Sequence, residues 1–428
     1  MFSNMETSNA FFIKYPLHLS FRNPLMTLSA DLLKLFALNS NFHLKDYPEK
    51  NRKYLNLESY QEAQNGISQW AGYAPTPLRR LDKLEKNLKV AKIWYKDESS
   101  RFGLNSFKAL GGAYAVMNLL KGLIVKKGLA DKVRNEDLLN GKYADFAKTV
   151  TVTSATDGNH GRSVAWGASL CGCSCVIYIH EHVSDERKKA IEQYEAEVVR
   201  VKGNYDFSVS EAESDAKKYS RFVVSDTTYP GYIEIPCDVM QGYTVMVQEV
   251  LDNIPDEPPT HIFIQVGVGG LPAAIAAHCW ETYGKNCPKI ILVEPENAAC
   301  MYESLKNGEP VAVEGDLDTM MAGLACGEVS IIAFEILKDI TTASLVISDD
   351  AAIAVMKGFA DGQYGDKIVA GESAVAGCAG LMLCRDNSEL SEKLGLDESS
   401  RILLFGTEGA TDPKIYKQIT GKTPEEIL

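Results

Sequence analysis

A lysine stands inside an apolar, glycine-rich stretch of the chain, "NSFKALGGAYA", at residues 105–115. An amine that is partly removed from water has a lowered pKa and becomes a nucleophile toward carbonyl carbons. Lys108 follows Phe107 and precedes an Ala-Leu-Gly-Gly run, whose small residues would let a helix pack closely against a sheet. A lone lysine at the start of a helix is also commonly a surface residue, so this motif alone leaves both interpretations open.

The motif "TDGNHG", at residues 156–161, lies between a predicted strand and a predicted helix. Backbone N–H groups at a helix N-terminus bind anions, and the short side chains of this loop would leave those groups accessible. Asp, Gly and Asn are also common turn residues. The motif therefore predicts either an anion-binding loop or an ordinary strand-to-helix turn.

Two later motifs also follow predicted strands. "QVGVGGLPAA", which begins at Gln265, places glycines where backbone amides could cradle a phosphate. Pro272 occupies the position of the third glycine in the dinucleotide motif G-x-G-x-x-G, which disfavours NAD and favours a monophosphate. "LLFGTEGATD" places the hydroxyl of Thr407 just after the last predicted strand, although most such threonines are only strand formers or caps.

The elements that must position these motifs alternate between strand and helix periods from about residue 149. Apolar runs such as "CSCVIYIH" and "KIILVEP" predict buried strands, and "SDERKKAIEQYEAE" predicts a charged helix capped by Ser184 or Asp185. Strands separated by single helices indicate an α/β fold with open, mostly parallel twisted sheets flanked by helices. Ligands of such sheets bind beyond the carboxyl ends of the strands.

The length of 428 residues suits one large domain or two coupled ones. The periodic pattern breaks in a segment rich in proline and tyrosine, "YPGYIEIPCDVMQ", at residues 229–241. We therefore predict a smaller α/β domain at 108–229, inserted into a larger domain that is built from 1–107 and 230–428.

The composition argues against several classes of partner. The 57 acidic and 44 basic residues give a net charge of −13, which disfavours nucleic acid. The longest apolar tract, 262–280, is interrupted by Gln265, glycines and a proline, and the N-terminus does not resemble a signal peptide, so we expect a cytoplasmic protein with no membrane partner. Ten cysteines without zinc or CxxC spacing predict buried thiols and no metal site; Cys300 and Cys326 are the pair to examine for a disulfide.

Together, the four motifs resemble those of the fold-type-II pyridoxal-phosphate enzymes, from "APTPL" at 74 to "GTEG" at 406. "SFKALGG" is similar to the cofactor-lysine motif, "TDGNHG" to the loop whose asparagine meets the cofactor's 3′-oxygen, and "GVGGL" to the phosphate loop. The resemblance implies pyridoxal 5′-phosphate as cofactor, a small-molecule amino-acid substrate, a homodimer, and cofactor binding by the larger domain. The implied cofactor-binding residues are Lys108, Asn159, Gly267, Val268, Gly269, Gly270, Leu271 and Thr407, the last beside the pyridine nitrogen.

Within this group, "ATDGNHGR", "SDTTYPGYIEIPCDVMQGY", "AGLACGE" and "AGESAVAG" resemble the diaminopropionate ammonia-lyases, which convert 2,3-diaminopropionate to pyruvate and two ammonia molecules. Asp157 stands where dehydratases and synthases usually carry Ser or Ala. The resemblance makes Lys108, Asp157 and Asp226 the catalytic residues, with the two aspartates as an acidic pair that suits a cationic β-amine. Lys108 and Asp157 on opposite faces would let both D and L isomers react. Glu372, in "AGESAVAG", is expected near the cofactor.

Three alternatives remain open on the sequence. The first is a serine or threonine dehydratase, against which Asp157 argues, and the second is a β-replacement synthase. The third is a cofactor-binding amino-acid sensor without catalysis, which would have no need of Lys108. For Asp226, the role of a turn or helix cap is the alternative.

Overall fold

In the computed structural model, which describes residues 28–39, 46–156, 158–203 and 205–428, eleven strands form two sheets. The strands are β1 (Leu33–Leu38), β2 (Leu78–Arg80), β3 (Lys92–Asp97), β4 (Thr151–Ala155), β5 (Ser174–His180), β6 (Glu197–Val201), β7 (Phe222–Val223), β8 (His261–Gln265), β9 (Lys289–Pro295), β10 (Thr341–Ile347) and β11 (Arg401–Gly406). The helices are α1 (Glu49–Arg52), α2 (Leu57–Ile67), α3 (Asp82–Leu88), α4 (Lys108–Lys126), α5 (Asn135–Leu139), α6 (Ala144–Ala147), α7 (Asn159–Cys171), α8 (Asp185–Glu192), α9 (Tyr205–Tyr219), α10 (Glu234–Asn253), α11 (Gly270–Tyr283), α12 (Cys300–Asn307), α13 (Ile331–Ile340), α14 (Asp349–Asp361), α15 (Ala376–Asp386), α16 (Ser388–Leu394) and α17 (Pro413–Thr420).

The larger sheet has the order β1-β10-β9-β8-β11-β3-β2. Its five central strands are parallel, whereas β1 pairs antiparallel with β10 and β2 pairs antiparallel with β3. Every residue of β8 and β10 is buried, because helices cover both faces of the sheet. The continuous apolar runs in these strands are the sequence pattern that such burial requires.

The smaller sheet has the order β6-β5-β4-β7, and its strands are all parallel. Helices α7, α8 and α9 alternate with these strands, as the sequence predicts, and Ser184 Oγ caps α8 by accepting from the Arg187 backbone N–H at 3.3 Å. The predicted α/β class with mostly parallel sheets is confirmed. The four strands lie within 108–229, but the exact domain boundaries stay a prediction.

Helix α4, which begins at Lys108, is held between α7 and α10 by residues without bulky side chains. A Cβ at Gly111 would collide with the Tyr243 ring of α10, and one at Gly112 with the Ser163 hydroxyl of α7. Among the described residues, α4 is the one helix long and apolar enough to cross a membrane, and 61% of its apolar window is buried inside the protein. Such burial is typical of a core helix. The close packing fixes the position of Lys108 at its first turn.

The segment that leads into Lys108 is fixed by a buried ionic cluster. Arg101 donates to Glu98 Oε2 at 2.8 Å and to Glu249 Oε2 at 2.7 Å, and Lys96 Nζ lies 2.5 Å from the same Glu249 oxygen. All four side chains are at most 4% exposed. Loss of one partner would leave a buried charge without its counter-ion, which is costly. The cluster therefore joins β3 and the turn before α4 firmly to α10.

Candidate active site

A cavity of about 1030 Å³ lies beyond the carboxyl ends of β4, β8 and β11, and residues associated with both sheets line it. The structure brings nine of the ten predicted site residues together on its wall. They are Lys108, Asn159, Asp226, Gly267, Val268, Gly269, Gly270, Leu271 and Thr407. The position agrees with the general rule for parallel sheets. The role of each residue stays a prediction.

The amine of Lys108 faces Asp226 across the cavity wall. Lys108 Nζ lies 2.5 Å from Asp226 Oδ2, and the two side chains are 20% and 18% exposed. The rings of Phe107 and Tyr243 flank the amine, with their centroids 5.5 and 5.9 Å from Nζ. Lys108 is therefore not a surface lysine but a cation in an aromatic wall, paired with the Asp226 carboxylate.

This pairing sets the charge of both groups. Burial acts to lower the pKa of the Lys108 amine, but the adjacent Asp226 carboxylate and Tyr243 outweigh burial and raise that pKa. Burial acts to raise the pKa of Asp226, but Lys108 and His160 outweigh it and lower that pKa. The expectation that an apolar setting lowers the pKa of Lys108 is therefore wrong for the protein alone. The neighbours of Lys108 in the chain do not include Asp226, whose carboxylate is 118 residues away in the sequence.

His160 is a member of the site that the sequence argument did not assign. Its Nε2 lies 3.0 Å from the carbonyl oxygen of Val224, and because a carbonyl only accepts, Nε2 must hold the proton. Its Nδ1 then faces Asp226 Oδ2 at 3.9 Å. Burial is the main cause that lowers the pKa of His160, and the Lys108 cation adds to it. A neutral imidazole therefore stands beside the ion pair.

Asn159 begins α7 and is oriented by Glu408, a second residue that the sequence argument did not assign. Asn159 Nδ2 donates to Glu408 Oε2 at 2.5 Å, and Glu408 Oε1 accepts from the Ser373 backbone N–H at 3.0 Å. The amide nitrogen has two hydrogens, and this bond uses one of them. The bond also joins the start of α7 to the segment that follows β11.

The glycine-rich segment between β8 and α11 forms an open N-terminal end of a helix. Gly269 precedes α11 with φ of +101°, and within the described residues no side chain caps its N–H groups. A Cβ at Gly267 would lie 3.1 Å from Cys326 Sγ, and one at Gly269 would lie 2.6 Å from Met301 Cε. At Gly269 the backbone conformation favours glycine, at both positions a side chain would displace a neighbour, and the exposed amides suit an anion.

We expect Gly269→Ala to weaken the binding of a phosphate-bearing ligand in this segment. A side chain at this positive φ costs about 1–3 kcal/mol, and the added methyl displaces Met301. The measurement is the Kd for pyridoxal phosphate by fluorescence titration, together with thermal unfolding. Gly284→Ala is the matched control, because Gly284 also has positive φ (+56°) but ends α11 in open space. Equal weakening in both variants would contradict the assignment of the loop.

Thr407 directly follows β11, and Gln265 at the end of β8 holds it. Gln265 Nε2 donates to Thr407 Oγ1 and to the carbonyl oxygen of Phe405, each at 2.8 Å. Thr407 is 3% exposed, and Gln265 is 2% exposed. The hydroxyl therefore has a fixed place on the cavity wall, at the carboxyl end of the central strands.

Three further sequence expectations concern Asp157, Glu372 and the cysteines. Asp157 lies outside the described residues, although Thr156 and Gly158 on either side of it line the cavity. Glu372 does not line the cavity and instead pairs with Arg187 at 2.8 Å; burial and the nearby Glu408 raise its pKa to about 7. All ten cysteines lie within the described residues and are thiols, so the structure contains no disulfide between those positions.

Two of the unassigned residues had weak signals in the sequence. His160 lies inside "TDGNHG", and Glu408 lies inside "GTEG", so each was next to an assigned residue. Tyr243 had no such signal, because it is one of many apolar residues in the middle of α10.

The residues present fit pyridoxal phosphate. A primary amine, an uncapped helix N-terminus with a glycine cradle, and two polar side chains share the wall of one cavity. The amine would hold the aldehyde carbon, and the cradle would hold the phosphate. Asn159 and Thr407 would contact polar atoms of the ring.

Comparisons with known proteins agree with this fit. The model of the pyridoxal-phosphate-dependent enzyme family matches residues 70–407. The chain is 38% identical over 357 residues to the diaminopropionate ammonia-lyase of Escherichia coli strain K12, which covers 82% of this chain and 88% of that relative. The crystal structure of the holo enzyme from Escherichia coli has a TM-score of 0.81 at 35% identity, covering 91% of this chain and 97% of that one. A structure of that enzyme in complex with D-serine has a TM-score of 0.80 at 34% identity, with the same coverage.

Proposed function

Because the chain belongs to the diaminopropionate ammonia-lyase family of pyridoxal-phosphate-dependent enzymes, we propose that it degrades 2,3-diaminopropionate by β-elimination. The reaction takes up one water molecule and gives pyruvate and two molecules of ammonia. We propose that both the D and the L isomers react. The observation that supports this function most directly is the Lys108–Asp226 pair, 2.5 Å apart in a cavity that also contains a phosphate-type glycine loop.

When pyridoxal phosphate is bound, it supplies the electron sink that acidifies the hydrogen on the substrate Cα. The residues of this chain then have three tasks. With its amine in the neutral form, as it would be once freed from the bound cofactor, Lys108 would take the Cα proton from one face of the substrate. Asp226 stays anionic and accepts a hydrogen bond from that amine, so it holds in place the amine and the proton that the amine gains. His160 is neutral and therefore adds no positive charge to the Lys108–Asp226 pair.

The Asp226 carboxylate is the feature of the wall that favours diaminopropionate over serine or threonine. A β-ammonium group is attracted by the Asp226 carboxylate, whereas a β-hydroxyl gains no such interaction. The sequence offers Asp157 as a second carboxylate, between Thr156 and Gly158 in the chain. A serine or threonine dehydratase therefore has less support than the ammonia-lyase, and the substrate experiment below separates the two.

We expect Asp157→Asn to abolish activity on one enantiomer and to spare most activity on the other. The reason is that Lys108 and Asp157 are assigned as bases on opposite faces of the substrate, and each face presents the Cα hydrogen of one isomer. The measurement is kcat/KM for D- and L-2,3-diaminopropionate, with Asp145→Asn on α6 as the control outside the cavity. An equal loss on both isomers would show that the two-base assignment is wrong.

The experiment that tests the function is pyruvate release by the purified protein. D- and L-2,3-diaminopropionate, D- and L-serine, and L-threonine are compared at the same concentrations. Pyruvate from both diaminopropionate isomers, at rates well above those with serine, is the expected result. Reaction with L-serine or L-threonine alone would make the protein a dehydratase. Cofactor binding without turnover of any of the five would favour the sensor.

We further propose that the protein is a cytoplasmic homodimer. The support for the dimer is β1, an edge strand of the larger sheet that exposes Leu35 and Leu38 at 44% and 47%. A paired edge would shield these side chains and the unpaired backbone groups of the strand. Sedimentation of the holoenzyme, with Leu35→Lys as the variant that should release monomers, tests this part of the proposal.

A further inference from the structure

Gln265 makes two hydrogen bonds that together determine the orientation of its amide. Its neighbours within bonding distance are the Phe405 carbonyl oxygen and Thr407 Oγ1, each at 2.8 Å. A carbonyl oxygen only accepts, so the atom that faces Phe405 must be Nε2 and not Oε1. The same nitrogen therefore directs its second hydrogen at Thr407 Oγ1. The oxygen end of the amide cannot occupy this position without facing another acceptor.

The other end of the Gln265 side chain shows that this orientation has a cost. Oε1 is buried and has no hydrogen-bond partner among the described residues. It lies against the start of α15, where a Cβ at Gly377 would approach it to 3.2 Å. Buried acceptors are nearly always satisfied, so one that is not requires an explanation. Packing alone would be served as well by an apolar side chain of similar size.

The consequence for Thr407 concerns the direction of its proton. A hydroxyl has one hydrogen to donate, and its oxygen can accept from neighbours. Because Oγ1 already accepts from Gln265, a hydroxyl rotamer that donates toward Gln265 is excluded. The hydrogen must point elsewhere, and Thr407 lies on the cavity wall. A hydroxyl that is fixed as a donor needs an acceptor, and an unprotonated ring nitrogen is one.

We infer that Gln265 is a positioning residue that fixes Thr407 as a hydrogen-bond donor and thereby keeps the ring nitrogen of the bound cofactor unprotonated. This inference rests on the proposed function, because it requires pyridoxal phosphate in the cavity. Gln265 also lines the cavity, but its amide nitrogen donates to Phe405 and Thr407, so it acts on the ring through Thr407. The protonation state of the ring controls how far the cofactor withdraws electrons, and hence how readily charge near Cα expels the β-group.

The direct test is ¹⁵N NMR of the holoenzyme with pyridoxal phosphate labelled at the ring nitrogen. Protonated and unprotonated pyridine nitrogens have well-separated chemical shifts. The wild-type protein is expected to show the unprotonated signal at neutral pH. Gln265→Glu supplies an acceptor in place of the donor, so the Thr407 hydroxyl can turn toward it. The signal should then move toward the protonated position, and kcat should fall roughly two- to tenfold, as for the loss of one hydrogen bond.

Two further variants make the result interpretable. Gln265→Met removes the donor without adding charge, and it should shift the signal in the same direction by a smaller amount. Gln241→Glu is the matched control, because Gln241 also donates to a carbonyl, that of Tyr54 at 3.2 Å, but lies outside the cavity. It should leave the signal unchanged. Circular dichroism establishes that each variant is folded.

The outcomes separate this inference from the function on which it rests. If the protein bound no pyridoxal phosphate, the proposed function would fail before any ring signal was observed. A bound cofactor whose ring nitrogen is protonated in the wild-type protein would overturn the inference alone. An unchanged ¹⁵N signal in both folded Gln265 variants would also overturn the inference, since Thr407 would then donate to the ring nitrogen without Gln265.

Discussion

Lys108→Ala is expected to leave a folded protein that has no covalent link to its cofactor and lacks lyase activity. The side chain supplies the amine that would hold the aldehyde carbon and the base that would take the Cα proton, so one substitution removes both. General-base catalysis alone is typically worth about 10²–10⁴-fold in rate. We therefore expect kcat/KM for diaminopropionate to fall by at least that factor. The visible absorbance of the covalent link should also be lost.

The measurements are pyruvate release and absorption spectra after equal incubation with pyridoxal phosphate. Lys121→Ala is the matched control, because Lys121 lies on the same helix, is half-buried and does not line the cavity. It should keep both the spectrum and the activity. A Lys108→Ala variant that keeps the absorbance of the covalent link would mean that another lysine holds the cofactor.

Asp226→Asn is expected to lower turnover of both diaminopropionate isomers by roughly 10²–10⁴-fold while the covalent link persists. Asp226 opposes the effect of burial on Lys108, and without its charge burial would lower the pKa of the amine. In the cofactor-free variant, the amine should therefore lose its proton at a lower pH than in the wild-type protein. The β-ammonium group of the substrate would also lose its carboxylate partner.

Reductive methylation of the cofactor-free protein, followed across pH, measures the amine directly, and kcat/KM measures turnover. The half-point for methylation of Lys108 should move to lower pH in Asp226→Asn. The control is Asp238→Asn, a half-buried carboxylate on α10 that accepts a hydrogen bond from Asn118 and lies outside the cavity. An unchanged half-point, or normal turnover in Asp226→Asn, would remove Asp226 from the mechanism.

The strand-end motifs were predictable because each depends on local chemistry. The glycines after β8 and the Ser184 cap of α8 are recognisable from a few adjacent residues, and parallel strands place such ends on one side of a sheet. The alternation of strand-like and helix-like hydrophobic periods likewise predicted the α/β class. The antiparallel edges were not predictable in this way. Strand β2 is only three residues long, with the sequence "LRR", and has no measurable period.

The contacts within the site were less predictable, since they join residues far apart in the chain. Asp226 approaches Lys108 across 118 residues, and Glu408 approaches Asn159 across 249. No local pattern specifies which carboxylate meets which amine. The apolar neighbours of Lys108 alone therefore indicated the wrong direction for its pKa, and the role of this cavity-lining residue stays a prediction.

The division of the cavity wall between two sheets has a consequence for how the protein acquires its cofactor. Asn159 follows a strand of the smaller sheet, whereas Gln265 and Thr407 follow strands of the larger one. Each sheet can form its own local contacts early in refolding, but contacts of large sequence separation form late. Capture of pyridoxal phosphate should then be among the last events of folding. Conversely, local opening at the cavity wall would release the cofactor before the buried strands exchange their amide hydrogens.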